Sequence, residues 1–279
     1  MKMAKKIIGI VLVITLILSL SACAPKQEVP AQEEVKQEEP KQEYVIKFNH
    51  VLGRTIRAEG RVSAKEGPVD LQADLAQIDL AKGRYDISGR QARASYAQHL
   101  FQADRLVYEA GEVNRLTAEG NVLWQHTAAG ETRSVQAAKV NYDLAARRAE
   151  AAGGIKLAVG EFQAASERLQ YEEDTDLLTL DGQPTLARGD LKLTAAYLAW
   201  QPAKSLIVAS GGASISERAF TGTSDELRYE IKENRIRLLG AARLKRGQDT
   251  LTGEEIVYDL GSGRVSVAGR AKAVIALGG

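Results

Sequence analysis

From Tyr44 onward the chain alternates apolar and polar residues with a period of two, which marks strands with one buried face rather than helices. Ile236, Leu238, Ala242 and Leu244 share one parity around Gly240. Ile207, Ala209, Ala213 and Ile215 do the same around Gly211, and Val265, Val267, Ala271 and Ala273 around Gly269. Other runs carry an aromatic at their centre: Leu227, Tyr229, Ile231, and Ile256, Tyr258, Leu260. Turn signals join the runs, as in AKG (81–83), KEN (232–234) and GSG (261–263). Connections this short predict antiparallel pairing, because parallel crossovers need about a dozen residues or more.

The pattern repeats. Gly153, Gly182, Gly211, Gly240 and Gly269 stand 29 residues apart; Gly120, Gly89 and Gly60 precede them at spacings of 33, 31 and 29. Tyr142, Tyr171, Trp200, Tyr229 and Tyr258 each lie eleven residues before a glycine of this series. A fixed period of this size means repeated supersecondary units. Each unit supplies two strands, so the chain is all-β, with about sixteen antiparallel strands. The glycines share the parity of the apolar residues and are expected mid-strand on the apolar face. Glycine there serves either to let the strand kink, folding the sheet over its own apolar side, or to relieve crowding in the core. The aromatic series reads as a core packing position rather than a carbohydrate ladder.

The N-terminus differs. Lys2, Lys5 and Lys6 precede a 14-residue apolar run, Ile7–Leu20, too short for a typical membrane span and right for a signal peptide. The run ends in LSAC, which resembles the lipobox of bacterial lipoproteins, in which cleavage leaves Cys23 as the lipidated first residue. Residues 1–22 are therefore expected to be a signal peptide and 23–43 a lipidated, disordered linker. The linker is rich in Glu, Gln, Lys and Pro and has almost nothing to bury. The repeats occupy 44–279. Ala24 after the cysteine favours the outer membrane by resemblance to lipoprotein sorting signals, with the inner membrane open.

With 37 basic and 36 acidic residues the chain lacks the basic excess of a nucleic-acid binder. One cysteine excludes an intramolecular disulfide and a multi-cysteine metal site. His50, His99 and His126 lie in different repeats and are expected at the surface or a groove rim. No motif for catalysis, metal binding or a cofactor emerges. The adjacent Glu254 and Glu255 would point to opposite faces of a strand.

The strand-turn-strand-glycine units, clearest in TAEGNVLW (117–124) and LTGEEIVYDLGSGRVSVAG (251–269), resemble the OstA-like (LptA) family of lipopolysaccharide-transport proteins. That resemblance implies a V-shaped β-jellyroll that carries acyl chains of lipopolysaccharide or a similar amphiphile in its apolar interior. It also implies pairing with other OstA-like (Lpt) proteins through edge strands. On this reading Leu178, Leu180, Leu186, Ile207, Ile215, Ile236, Leu238, Leu244, Val265 and Val267 would line a lipid groove, with Ala213, Ala242 and Ala271 leaving space. The edges would be 44–53 and 269–277. Two other readings stand beside it: a non-catalytic envelope scaffold with a filled interior, and a parallel β-solenoid enzyme. The solenoid would need clustered carboxylates on one sheet, which the sequence lacks.

Overall fold

The computed structural model describes residues 12–15, 44–46, 55–128 and 130–275. Cys23, the linker, His50 and most of the leader lie outside them. The strands, in chain order, are β1 (Leu12–Thr15), β2 (Tyr44–Ile46), β3 (Thr55–Glu66), β4 (Val69–Asp79), β5 (Arg84–Tyr96), β6 (His99–Glu109), β7 (Arg115–Ala128), β8 (Glu131–Asp143), β9 (Arg148–Val159) and β10 (Phe162–Glu172). There follow β11 (Leu177–Asp181), β12 (Thr185–Arg188), β13 (Leu191–Thr194), β14 (Tyr197–Gln201), β15 (Leu206–Glu217), β16 (Phe220–Glu230), β17 (Arg235–Arg246), β18 (Asp249–Asp259), β19 (Val265–Ala268) and β20 (Lys272–Val274). Among the described residues no helix is long and apolar enough to cross a membrane.

Every pairing is antiparallel, and most neighbours in the chain are neighbours in the sheet. One repeat departs from the simple hairpin. The two halves of β10 pair separately with β11 and β12, and β15 likewise receives β13 and β14. Gly182 and Pro184 lie at the first break, and proline has no N–H to give a ladder. Counting β11 with β12, β13 with β14 and β19 with β20 as interrupted long strands gives fifteen from β3 onward. The fold is all-β and antiparallel, as the pattern predicts, with the jellyroll form that the resemblance implies.

The repeat glycines do not line the interior, contrary to the parity argument. Gly60, Gly153, Gly211 and Gly269 are exposed and Gly89, Gly120, Gly182 and Gly240 half-buried. They mark bulges at which the glycine strand carries extra residues relative to its neighbours; in β17 the register shifts between Leu239 and Ala242. All eight have positive φ, from +71° to +140°. At Gly240 the kink is present, but the crowding it relieves lies on the outer face rather than in the core. Its φ is +71°, and a Cβ there would stand 2.5 Å from Asp225 Oδ2 on the adjoining strand. Ala241 follows, also at positive φ, so the chain turns sharply and then resumes its alternation with Ala242 and Leu244 buried.

The bulges fold the sheet double. Register places Tyr96, His99, His126 and Arg133 in one row across β5 to β8, and Tyr85, Tyr108, Leu116 and Tyr142 in another. Nine residues separate Arg133 from Tyr142 along β8, roughly 30 Å in a straight strand. Yet the Tyr142 ring lies 4.6 Å from that of His99 and 5.9 Å from that of Tyr96. Two wings therefore face each other across a crease, and their far ends meet along a seam. The apolar faces between them form one continuous core from Ala58 to Tyr258.

Candidate functional site

Any ligand reaching the interior from the side must pass the seam, so its chemistry defines the candidate site. The repeated aromatics stand there. Tyr142, Tyr171, Trp200, Tyr229 and Tyr258 are all buried, as their alternation predicts. Each meets a residue from the opposite wing: Tyr142 meets His99, Tyr171 meets His126, Trp200 meets Phe162, Tyr229 meets Arg188, and Tyr258 meets Phe220.

In the first half of the chain the seam is clasped by polar bonds. Tyr85 Oη donates to Glu66 Oε2 at 2.6 Å. Tyr142 Oη donates to Glu173 Oε2 at 2.6 Å, and Arg147 Nη2 donates to Glu173 Oε1 at 2.6 Å. Arg133 donates both Nη groups to Asp176, which also accepts from Tyr171 Oη at 3.3 Å and from the backbone N–H of Ala203 at 3.1 Å.

Burial works against ionised Glu173, but Arg147, Tyr142 and His99 outweigh it and hold the carboxyl down to about 2. Asp176 is likewise pulled below its ordinary value against burial, chiefly by Arg133. Burial raises the Tyr142 and Tyr171 hydroxyls.

His99 and His126 are buried, which corrects the expectation that they lie at the surface or a groove rim. His99 has the parity of Phe101 and Ala103, and His126 that of Trp124, so both point inward. Trp124 Nε1–H donates to His99 Nδ1 at 3.2 Å. Indole nitrogen only donates, so Nδ1 carries no proton and Nε2–H faces Glu173 Oε2 at 3.2 Å. Burial lowers both histidines, and with His99 alongside it brings His126 to about 4.

His99, His126 and Glu173 bring three potential metal-ligand atoms within 4.8 Å of one another. The arrangement does not fit a metal ion. The two imidazoles stack 4.2 Å apart at 8°, so their in-plane lone pairs lie in nearly parallel planes and do not converge. His99 Nε2 holds its proton, and its other nitrogen is engaged by Trp124. The cluster is a clasp of neutral rings around one carboxylate.

Leu178, Leu180, Leu186, Ile207, Ile215, Ile236, Leu238 and Leu244 all lie in the core, none more than 2% exposed. Val265 and Val267 are half-buried at its C-terminal end. Ala213 and Ala242 are packed in the core, whereas Ala271 is exposed and leaves no interior space. In this conformation these candidates form a filled interior. Val274 and Ile275 at the C-terminal edge are 55% and 65% exposed. At the other edge β1 pairs with both β2 and β3.

Comparison with known proteins places this geometry. Residues 165–264 match the family described as LptA/(LptD N-terminal domain) LPS transport protein. No curated protein matches the chain. Among solved structures, the chain is similar to LptH from Pseudomonas aeruginosa, described as the LptA homologous periplasmic component of the conserved lipopolysaccharide transport device. Identity is 18%, the TM-score is 0.40, and the match covers 41% of this chain and 94% of that one. The family match bears out the OstA-like resemblance read from the repeats over residues 165–264, from β10 to β18.

Proposed function

We propose that this protein is a non-enzymatic periplasmic module, anchored through a lipid on Cys23, that shields the acyl chains of lipopolysaccharide or a similar amphiphile and passes it between envelope partners. The observation that carries the reading is the apolar interior, continuous across successive repeats, in a chain with the family match at 165–264. An acyl chain of about a dozen carbons gains on the order of 10 kcal/mol from such a lining. Because the interior is filled at rest, loading requires the wings to part at the seam. Partners of the same fold would add at the edges, where a strand presents unpaired N–H and C=O groups. Cleavage before Cys23 would remove β1 and bare one edge of β3; the exposed end of β20 is the other candidate.

A photoreactive residue at Leu238 or Ile215 tests the reading in cells. Adducts with an envelope lipid support it, and their absence at both positions contradicts it. The filled core favours a second reading, a scaffold that joins edge to edge without cargo. That reading expects assembly without lipid adducts.

A further inference from the structure

The rim aromatics are satisfied unevenly. Tyr85, Tyr108, Tyr142 and Tyr171 all donate to a side-chain oxygen: Glu66, Asn114, Glu173 and Asp176. At Trp200 and Tyr229 the pattern stops. Trp200 Nε1 is fully buried and has no hydrogen-bond partner, and the buried Tyr229 Oη leans only on Arg188. At Trp200 the turn explains the difference. Asn114, Arg147, Asp176, Ser205 and Asn234 hold the same left-handed position in successive turns. Ser205 stands where Asp176 stood and is too short to reach across. A buried polar group without a partner is costly, so the Trp200 N–H needs a reason.

Trp200 lies in the wall of a recess of about 340 Å³ at the seam, together with Glu131, Glu161, Phe162, Arg188 and Ser205. The Arg188 guanidinium lies 5.4 Å from the centre of the Phe162 ring and 5.6 Å from that of Tyr229. Phe162 packs against Trp200 at 5.2 Å. Arg188 makes no ion pair among the described residues, and Glu131 and Glu161 are exposed at the lip. One inner cation, one buried indole N–H without a partner and two outer carboxylates match a group with an oxygen anion followed by an amine.

We infer that this recess binds the zwitterionic head of an amphiphile, a phosphate ester bearing an ammonium group. Arg188 takes the phosphate with its planar fork, and the Trp200 N–H donates to the same phosphate. Glu131 and Glu161 take the ammonium. The acyl chains then point inward between the wings. Only this last clause rests on the proposed carrier function; recognition of the head stands apart from transport.

The chain has two tryptophans, Trp124 and Trp200, so a ¹⁵N-indole spectrum contains one signal from each. Trp200→Phe assigns them. The full chain is titrated with dihexanoyl phosphatidylethanolamine, dihexanoyl phosphatidylglycerol and hexyl glucoside. The expected result is a saturable shift of the Trp200 signal with the ethanolamine lipid and little change at Trp124. Arg188→Gln should weaken that binding about tenfold while the spectrum stays folded, and Glu131→Gln with Glu161→Gln should erase the preference over phosphatidylglycerol.

Equal binding of phosphatidylglycerol by the unaltered chain overturns the inference, as does an unmoved Trp200 signal or indifference to Arg188→Gln. If interior methyl signals shift while Trp200 does not, the head-group site is wrong and the carrier reading survives. If the ethanolamine lipid binds here but photoadducts at Leu238 and Ile215 are absent, the site stands and the carrier reading fails.

Discussion

Arg133 and Asp176 meet fork to fork across the seam, with Arg133 Nη2 donating to Asp176 Oδ2 at 2.9 Å. Arg133 begins β8 on one wing and Asp176 occupies the turn after β10 on the other. Their pairing fixes how far apart the wings stand at that point. Arg133 is only 5% exposed, so the pair is nearly dry and its two members depend on each other.

Asp176→Asn should therefore destabilise the protein by about 3 kcal/mol in urea unfolding, because it leaves a buried guanidinium without its counter-charge. Replacing both partners, Arg133→Met with Asp176→Asn, should recover most of the loss. A single substitution costing under about 0.5 kcal/mol would show that the clasp does not hold the seam.

The histidine stack makes stability depend on acidity. In the unfolded chain His126 takes its proton near pH 6.5, whereas in the folded protein it does so only at about 4. Between those values the unfolded state binds more protons, so stability should fall as pH drops from 6.5 to 4, by about 3 kcal/mol from this residue. His99 is shifted in the same direction and adds to the slope. Glu173 acts below that range: its depressed value means that its stabilisation is present above the ordinary carboxylate range and lost as pH falls towards 2. His126→Phe should flatten the upper slope and leave the loss below pH 4. Urea midpoints collected from pH 7 to 3 check this, and an unchanged slope in the variant would contradict it.

Gly240 should tolerate substitution poorly. Gly240→Val forces a β-branched side chain into positive φ and against Asp225, at an expected cost of about 2–4 kcal/mol. Gly67 also has positive φ, but a Cβ there meets nothing within 4 Å, so Gly67→Ala should cost about 1 kcal/mol. Asp225→Ala should soften the Gly240→Val penalty, since it removes the clash and leaves the backbone strain. Equal costs at Gly67 and Gly240 would rule out the crease argument.

Strand class, antiparallel order and the aromatic rim were legible because each depends on local alternation repeated many times. The sense of the glycine was only half legible. Shared parity with Leu238 and Ala242 placed Gly240 on the apolar face, but the bulge inserts a residue and turns the glycine outward. A further marker went unread: Asp74, Asp104, Glu167, Asp225 and Glu254 each pack where the Cβ of a repeat glycine would be. The clasp was missed for another reason. His99 and His126 sit in separate repeats, and only their inward parity beside Phe101 and Trp124 marked them as buried. Glu173 and Asp176 read as ordinary turn residues, because the fold-over that brings them to His99 and Arg133 is a long-range consequence of the bulges.

The central claim is that the filled interior admits an acyl chain only when the wings separate at the seam. Phe220 and Tyr258 touch across it, ring to ring at 4.3 Å. In a Cys23→Ser chain, Phe220→Cys and Tyr258→Cys can be joined by a short reducible crosslinker. A photoreactive group at Leu238 then reports the lipid. The account predicts that joining the two cysteines abolishes the lipid adduct and that reduction restores it. Equal adduct yield in the joined and reduced protein would contradict it.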